Sequence, residues 1–114
     1  MYKFSYEETL SDSSGRHREN ERLALEQSVA LLKSAERAGP QSREAVEAIF
    51  FLNRLWSFFL DDLAKPENGL PDELRASLIS IGIWMLKEAD AISKGNSRNF
   101  AGLIDISNVI AEGL

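Results

Sequence analysis

Residues 76–86, ASLISIGIWML, carry no charge and are the most apolar part of the chain, in the middle of LPDELRASLISIGIWMLKEADAISK at 70–94. The uncharged run is too short to cross a bilayer, which takes about 20 apolar residues, so other parts of a folded protein must cover it. At helical period Leu74, Leu78, Ile81, Met85 and Ile92 form one stripe, and Ile79, Ile83 and Leu86 form a second, more than a quarter turn away. A helix apolar on two faces needs cover on both. The expectation is an all-α protein, a small bundle of four main helices with this segment at its centre.

The rest of the chain supplies the other three helices. At 114 residues it is read as one helical domain, 1–114, long enough to bury a core without staples. Residues 17–38 form the first long helix, with Ala24, Leu25, Val29, Leu31, Leu32 and Ala35 on its apolar face. Its charged face holds i, i+4 pairs such as Arg22 with Glu26. Gly39-Pro40 stops it, because glycine takes a left-handed cap and proline cannot continue the helix. Ser42 is the expected N-cap of the next helix, whose core side reads Ala45, Ala48, Ile49, Leu52, Leu55, Trp56, Phe59, Leu60 and Leu63. Adjacent Asp61 and Asp62 point about 100° apart on a helix and are read as surface residues paired with Arg75. After the loop 65–69, Pro71, Asp72 and Glu73 suit a helix start, and Lys94-Gly95 suits its end with an Asp90–Lys94 pair. Gly82 costs about 1 kcal/mol against alanine in mid-helix, which points to close approach of a neighbour. Ser97 is expected to cap a last helix over 98–112, with Phe100, Leu103, Ile104, Ile106, Val109, Ile110 and Leu114 on its apolar face. The residues expected inside are Leu52, Leu55, Phe59, Leu78, Ile81, Met85, Leu103 and Ile110.

The first fifteen residues stand apart as an N-terminal aromatic arm and loop. Tyr2, Phe4 and Tyr6 alternate with polar residues and give way to Ser11-Asp12-Ser13-Ser14-Gly15, a loop composition. Such an arm either pins itself across the bundle or covers a partner groove and is displaced on binding. The start, MYKFSYEETL, lacks the basic flank and apolar run of a signal peptide, so a soluble cytoplasmic protein without membrane insertion is expected.

Composition excludes several classes of function. The chain has no cysteine, hence no disulfide and no thiolate chemistry. Its net charge of −5 disfavours direct nucleic-acid binding, which rests on clustered Lys and Arg. His17 is the only histidine and sits among charges at a helix start. No phosphate loop, HExxH or CxxC spacing occurs, so no enzyme activity, cofactor or metal is expected. Three aromatics break the core pattern. Trp84 projects into the sector of Ser77, Ser80, Lys87 and Glu88, and Phe51 and Phe58 flank the core face of the second helix. The first helix or the arm covers Trp84, or it anchors a partner helix. With Phe51 and Phe58 it makes helix-in-groove binding the physically motivated function. The candidate partner-binding residues are therefore Trp84, Phe51, Phe58, Tyr2, Phe4 and Tyr6.

The segments SREAVEAIFFLNRLWSFFLDDLAKPENGLPDELRASLISIGIWMLKEA and SRNFAGLIDISNVIAEGL, with the MYKFSYEE start, resemble the bacterial FlaF family of flagellar biosynthesis regulators from alphaproteobacteria. The resemblance covers nearly the whole chain and is most specific at residues 70–84 and 97–104. It implies a protein needed for flagellin production and export that acts opposite FlbT, a post-transcriptional regulator of flagellin synthesis. It further implies direct binding of flagellin, as a secretion chaperone does. An aromatic arm followed by four helices in an acidic chain is also similar to the FliS flagellin chaperones, at the level of architecture alone. No flagellin site follows residue by residue. Two functions remain open at this stage, a flagellin-binding chaperone and adaptor, and a regulator acting through FlbT or the translation machinery on flagellin mRNA. Self-association through the same apolar patches is compatible with both.

Overall fold

The structure is a computed structural model that describes residues 14–113, with side-chain surroundings from residue 18 onward. Its four helices are α1 (Ser14–Ala38), α2 (Arg43–Ala64), α3 (Asp72–Ser93) and α4 (Phe100–Glu112). The described residues contain no strand, so the all-α bundle expected from periodicity is what forms. Tyr2, Phe4 and Tyr6 and the rest of the arm through residue 13 lie outside the described residues, while Ser14 and Gly15, expected in its loop, instead open α1.

The connections follow from local chemistry. Gly39 takes φ 108° and its N–H donates to the Ala35 carbonyl at 2.7 Å, ending α1 where the Gly-Pro pair predicts. Ser42 caps α2, its hydroxyl accepting from the Ala45 N–H at 3.1 Å and donating to the Gly39 carbonyl at 2.6 Å. Both helix-surface pairs expected from spacing are present, Arg22–Glu26 at 2.9 Å and Lys94–Asp90 at 2.9 Å. After α3, Gly95 sits at φ 82° while the Asn96 N–H reaches back to the Ala91 carbonyl at 2.8 Å, a six-to-one closure of the last turn.

Two local expectations are corrected. Asn99, not Ser97, caps α4, its side-chain oxygen accepting from the Gly102 N–H at 2.9 Å. Ser97 instead donates to the Glu88 carboxylate at 2.6 Å and accepts from the Asn99 N–H at 3.1 Å, tying the start of α4 to the flank of α3. Arg75 does not pair with Asp61 or Asp62. Its guanidinium donates twice to the Leu63 carbonyl, at 3.1 and 3.0 Å, and lies 3.6 Å from Asp72. A cation thus satisfies a terminal carbonyl at the negative end of α2, where it is worth more than against exposed carboxylates. Asp62 takes the Asn68 amide at 3.1 Å, which clips the loop to the helix end.

The larger correction concerns the centre. α1 packs on α2 and α4, α2 packs on α1 and α3, and α3 touches α4 only lightly. The shared core is built mainly from Val29, Leu32 and Ala35 of α1, Ile49, Leu52 and Trp56 of α2, and Phe100, Leu103 and Ile104 of α4. From α3 it takes Met85, Ala89 and Ile92, all in the second half of that helix. The apolar segment at 70–94 is therefore a peripheral helix. Its first stripe begins in solvent, since Leu74 is 45% exposed and Leu78 and Ile81 are only half-buried. Of the eight residues expected inside, Leu52, Met85 and Leu103 are buried and the other five are half-buried. Val109, expected on the apolar face of α4, is exposed.

The physical reason is length. At 1.5 Å per residue the 13 residues of α4 extend about 20 Å, against about 33 Å for the 22 of α3. A short fourth helix leaves part of α3 uncovered. Gly82 allows α3 to stay close to α2 despite this. A Cβ there would lie 2.8 Å from Leu60 Cδ2 and 2.9 Å from Trp56 Cε3, the close approach that the mid-helix glycine predicts.

Candidate partner-binding surfaces

The contact of Gly82 with Trp56 and Leu60 fixes which way the neighbouring side chains of both helices point. At 100° per residue, Phe51 and Phe58 lie about 160–180° around α2 from Leu60, on its far side from α3. Trp84 lies about 160° around α3 from Gly82, on its far side from α2. The three aromatics therefore stand on opposite edges of the α2–α3 pair and do not share one surface. Trp84 is 39% exposed, so no described helix covers it fully. Phe51 is half-buried, and Phe58 is exposed but stacks edge-on to Phe59 at 6.4 Å.

A different apolar surface runs along the α2–α3 seam. Antiparallel helices carry residues turned in the same sense from their contact points to the same side of the seam. Val46 and Phe50 of α2 and Ile79, Ile83 and Leu86 of α3 are turned about 40–100° in that sense, while core residues such as Leu52 and Ile92 are turned the other way. The seam thus has an outer face, away from the core, with Phe50 61%, Val46 67% and Ile83 46% exposed. Phe50, Asn53, Arg54 and Ser57 line a shallow depression there, and the Arg54 guanidinium sits 5.7 Å over the Phe50 ring. Reading α2 by its core stripe alone misses this face. The signal for it was the i, i+4 spacing of Val46, Phe50 and Arg54 beside the second α3 stripe.

A third feature is a cleft of about 240 Å³ at the end of the bundle that α4 leaves open. Leu25, Trp56, Phe59, Leu63, Leu78 and Ile110 give it apolar walls, with Arg18, Glu21, Asp62 and Asn68 among its polar lining. Its size suits one or two large side chains and not a helix.

The electrostatics around these surfaces are those of a solvated exterior. Arg22 bridges Glu19 and Glu26, and its hydrogen bond to Glu19 holds that carboxyl below the usual carboxylate range. Among the described residues, no group of three or more His, Asp or Glu side chains is placed to hold a metal. No described helix is long and apolar enough to cross a membrane. What the arrangement offers chemically is apolar area with charged margins.

Over the described residues, fold and surfaces together define a small all-α protein of four helices with several uncovered apolar faces. The chain belongs to the family described as flagellar protein FlaF, whose model matches residues 2–114. No curated protein and no solved structure matches it.

Proposed function

We propose that this flagellar protein is a biosynthesis regulator that binds flagellin as a cytoplasmic chaperone and adaptor, and so promotes flagellin synthesis and export. The observation that carries the reading is the uncovered apolar surface of α2 and α3. Val46, Phe50 and Ile83 are exposed on one side of the seam and Trp84 on the far edge of α3, apolar area of the kind that marks contact with another chain. Membership of a flagellar family supports flagellin, through its terminal helices, as the partner for such faces. A helix laid on another helix pair uses the same ridge-and-groove packing that builds the bundle itself.

The test is a pull-down of flagellin, of flagellin lacking its terminal helices, and of FlbT by the full chain. The proposal expects capture of intact flagellin and loss of capture without the terminal helices. Capture of FlbT alone would replace it with regulation through FlbT on flagellin mRNA.

A further inference from the structure

We propose that the groove along the α2–α3 seam receives an amphipathic helix whose apolar stripe is flanked on both sides by carboxylates. This rests on the helix-binding reading above and names both the surface and the partner's chemistry. The floor is apolar over Phe50, Ile79, Ile83 and Leu86, with Asn53 and Ser57 completing its α2 side, and Gly82 draws the two helices close enough for a guest helix to touch both.

The charges select the guest. Arg54 lies about 40° beyond Phe50 around α2, and Lys87 lies about 40° beyond Ile83 around α3. These positions put one cation on each rim. They are also level with one another, because Lys87 is five residues past Gly82 and Arg54 is four before the midpoint of Trp56 and Leu60, about 6–8 Å along antiparallel axes. Neither has a carboxylate partner among the described residues, although the whole chain carries a net charge of −5. The other charges on this face are accounted for. Arg43 with Glu47 at 3.6 Å and Lys94 with Asp90 at 2.9 Å neutralise each other at one end, and Asp61 and Asp72, the latter 3.6 Å from Arg75, lie at the other. Two unpaired cations facing each other across an apolar floor fit a helix with acidic flanks and repel one with basic flanks. Arg54, already held over Phe50, loses little freedom when it binds.

The test uses the full chain and two designed peptides of about 20 residues, a helix about 30 Å long, sharing one leucine stripe and carrying either glutamates or lysines on both flanks. Calorimetry should show the acidic peptide binding about tenfold more tightly or better, a preference that fades as salt rises toward about 0.5 M. R54E/K87E should abolish or invert the preference, and Val109→Ala, exposed on α4 away from the seam, should leave it unchanged. The neutral pair R54Q/K87Q serves if circular dichroism shows R54E/K87E misfolded, and should bring the two peptides to parity. Equal affinity for both peptides, binding of neither, or a preference that survives the charge substitutions overturns the proposal. Flagellin capture is scored separately. A chain that prefers the acidic peptide but ignores flagellin keeps this groove and loses the functional reading.

Discussion

Helices α2 and α3 have the same length, 22 residues, and opposite fates. α2 buries residues along its whole extent, from Ala45 to Leu63. α3 buries residues only from Gly82 to Ile92, though it holds the longest uncharged run of the chain. Apolar content does not make a helix central. Segregation does. α2 gathers its buried residues on one side, with polar Asn53, Arg54 and Ser57 exposed beside it, so one orientation is favoured even though Val46 and Phe50 remain outside. α3 is apolar on two sides, but only α2 packs closely against it, with α4 touching it lightly.

The difference between the two helices sets a graded series of substitutions. Trp56→Ala, at a residue only 2% exposed, should cost most, about 3–5 kcal/mol in a reversible denaturant titration. Leu52→Ala should cost about 2–5 kcal/mol, whereas Leu78→Ala, on the open half of α3, should cost clearly less. Equal losses at Leu52 and Leu78 would show α3 to be as enclosed as α2. Gly82→Ala drives a methyl into Leu60 and Trp56 and should destabilise by about 1–3 kcal/mol, the usual range for overpacking, in spite of alanine's better helix propensity. A stabilised variant would mean that the helices can separate without loss. Ser42→Ala removes the α2 cap and should cost about 1 kcal/mol, read from the shift in midpoint at unchanged slope. Leu74→Ala should fall within about 0.5 kcal/mol of the parent, although it sits on the same stripe as Met85. A larger loss there would place a cover over the start of α3.

Much of this molecule was legible in advance. Gly39, Ser42, Gly95 and the loop at 65–69 act within a few residues of themselves, and local rules place them correctly. The α4 cap moved from Ser97 to Asn99 because Ser97 bonds to Glu88, nine residues back and on another helix. Arg75 turned to the Leu63 carbonyl for a similar reason, since its partner comes from the end of α2. The candidate surfaces were less legible. Phe58 and Trp84, set off from the core stripes, are exposed, whereas Phe51 is half-buried like Phe59 on the core side. Whether residues on two helices share a face, however, depends on how the helices are rotated against each other.

The sequence by itself determined the class of fold, the four helical segments, the cap at Ser42 and the breaks at Gly39 and Gly95, and the need for a close contact at Gly82. Each of these depends on period, backbone conformation or hydrogen bonds that span fewer than about six residues. Only the tertiary structure decided that α2 rather than α3 lies inside, that Ser28 is buried in α1 with its hydroxyl unpaired, and that Arg54 and Lys87 flank one groove. Those outcomes depend on the relative lengths and rotations of packed helices. A stripe specifies that a face will be buried, and the neighbour that reaches it decides how far.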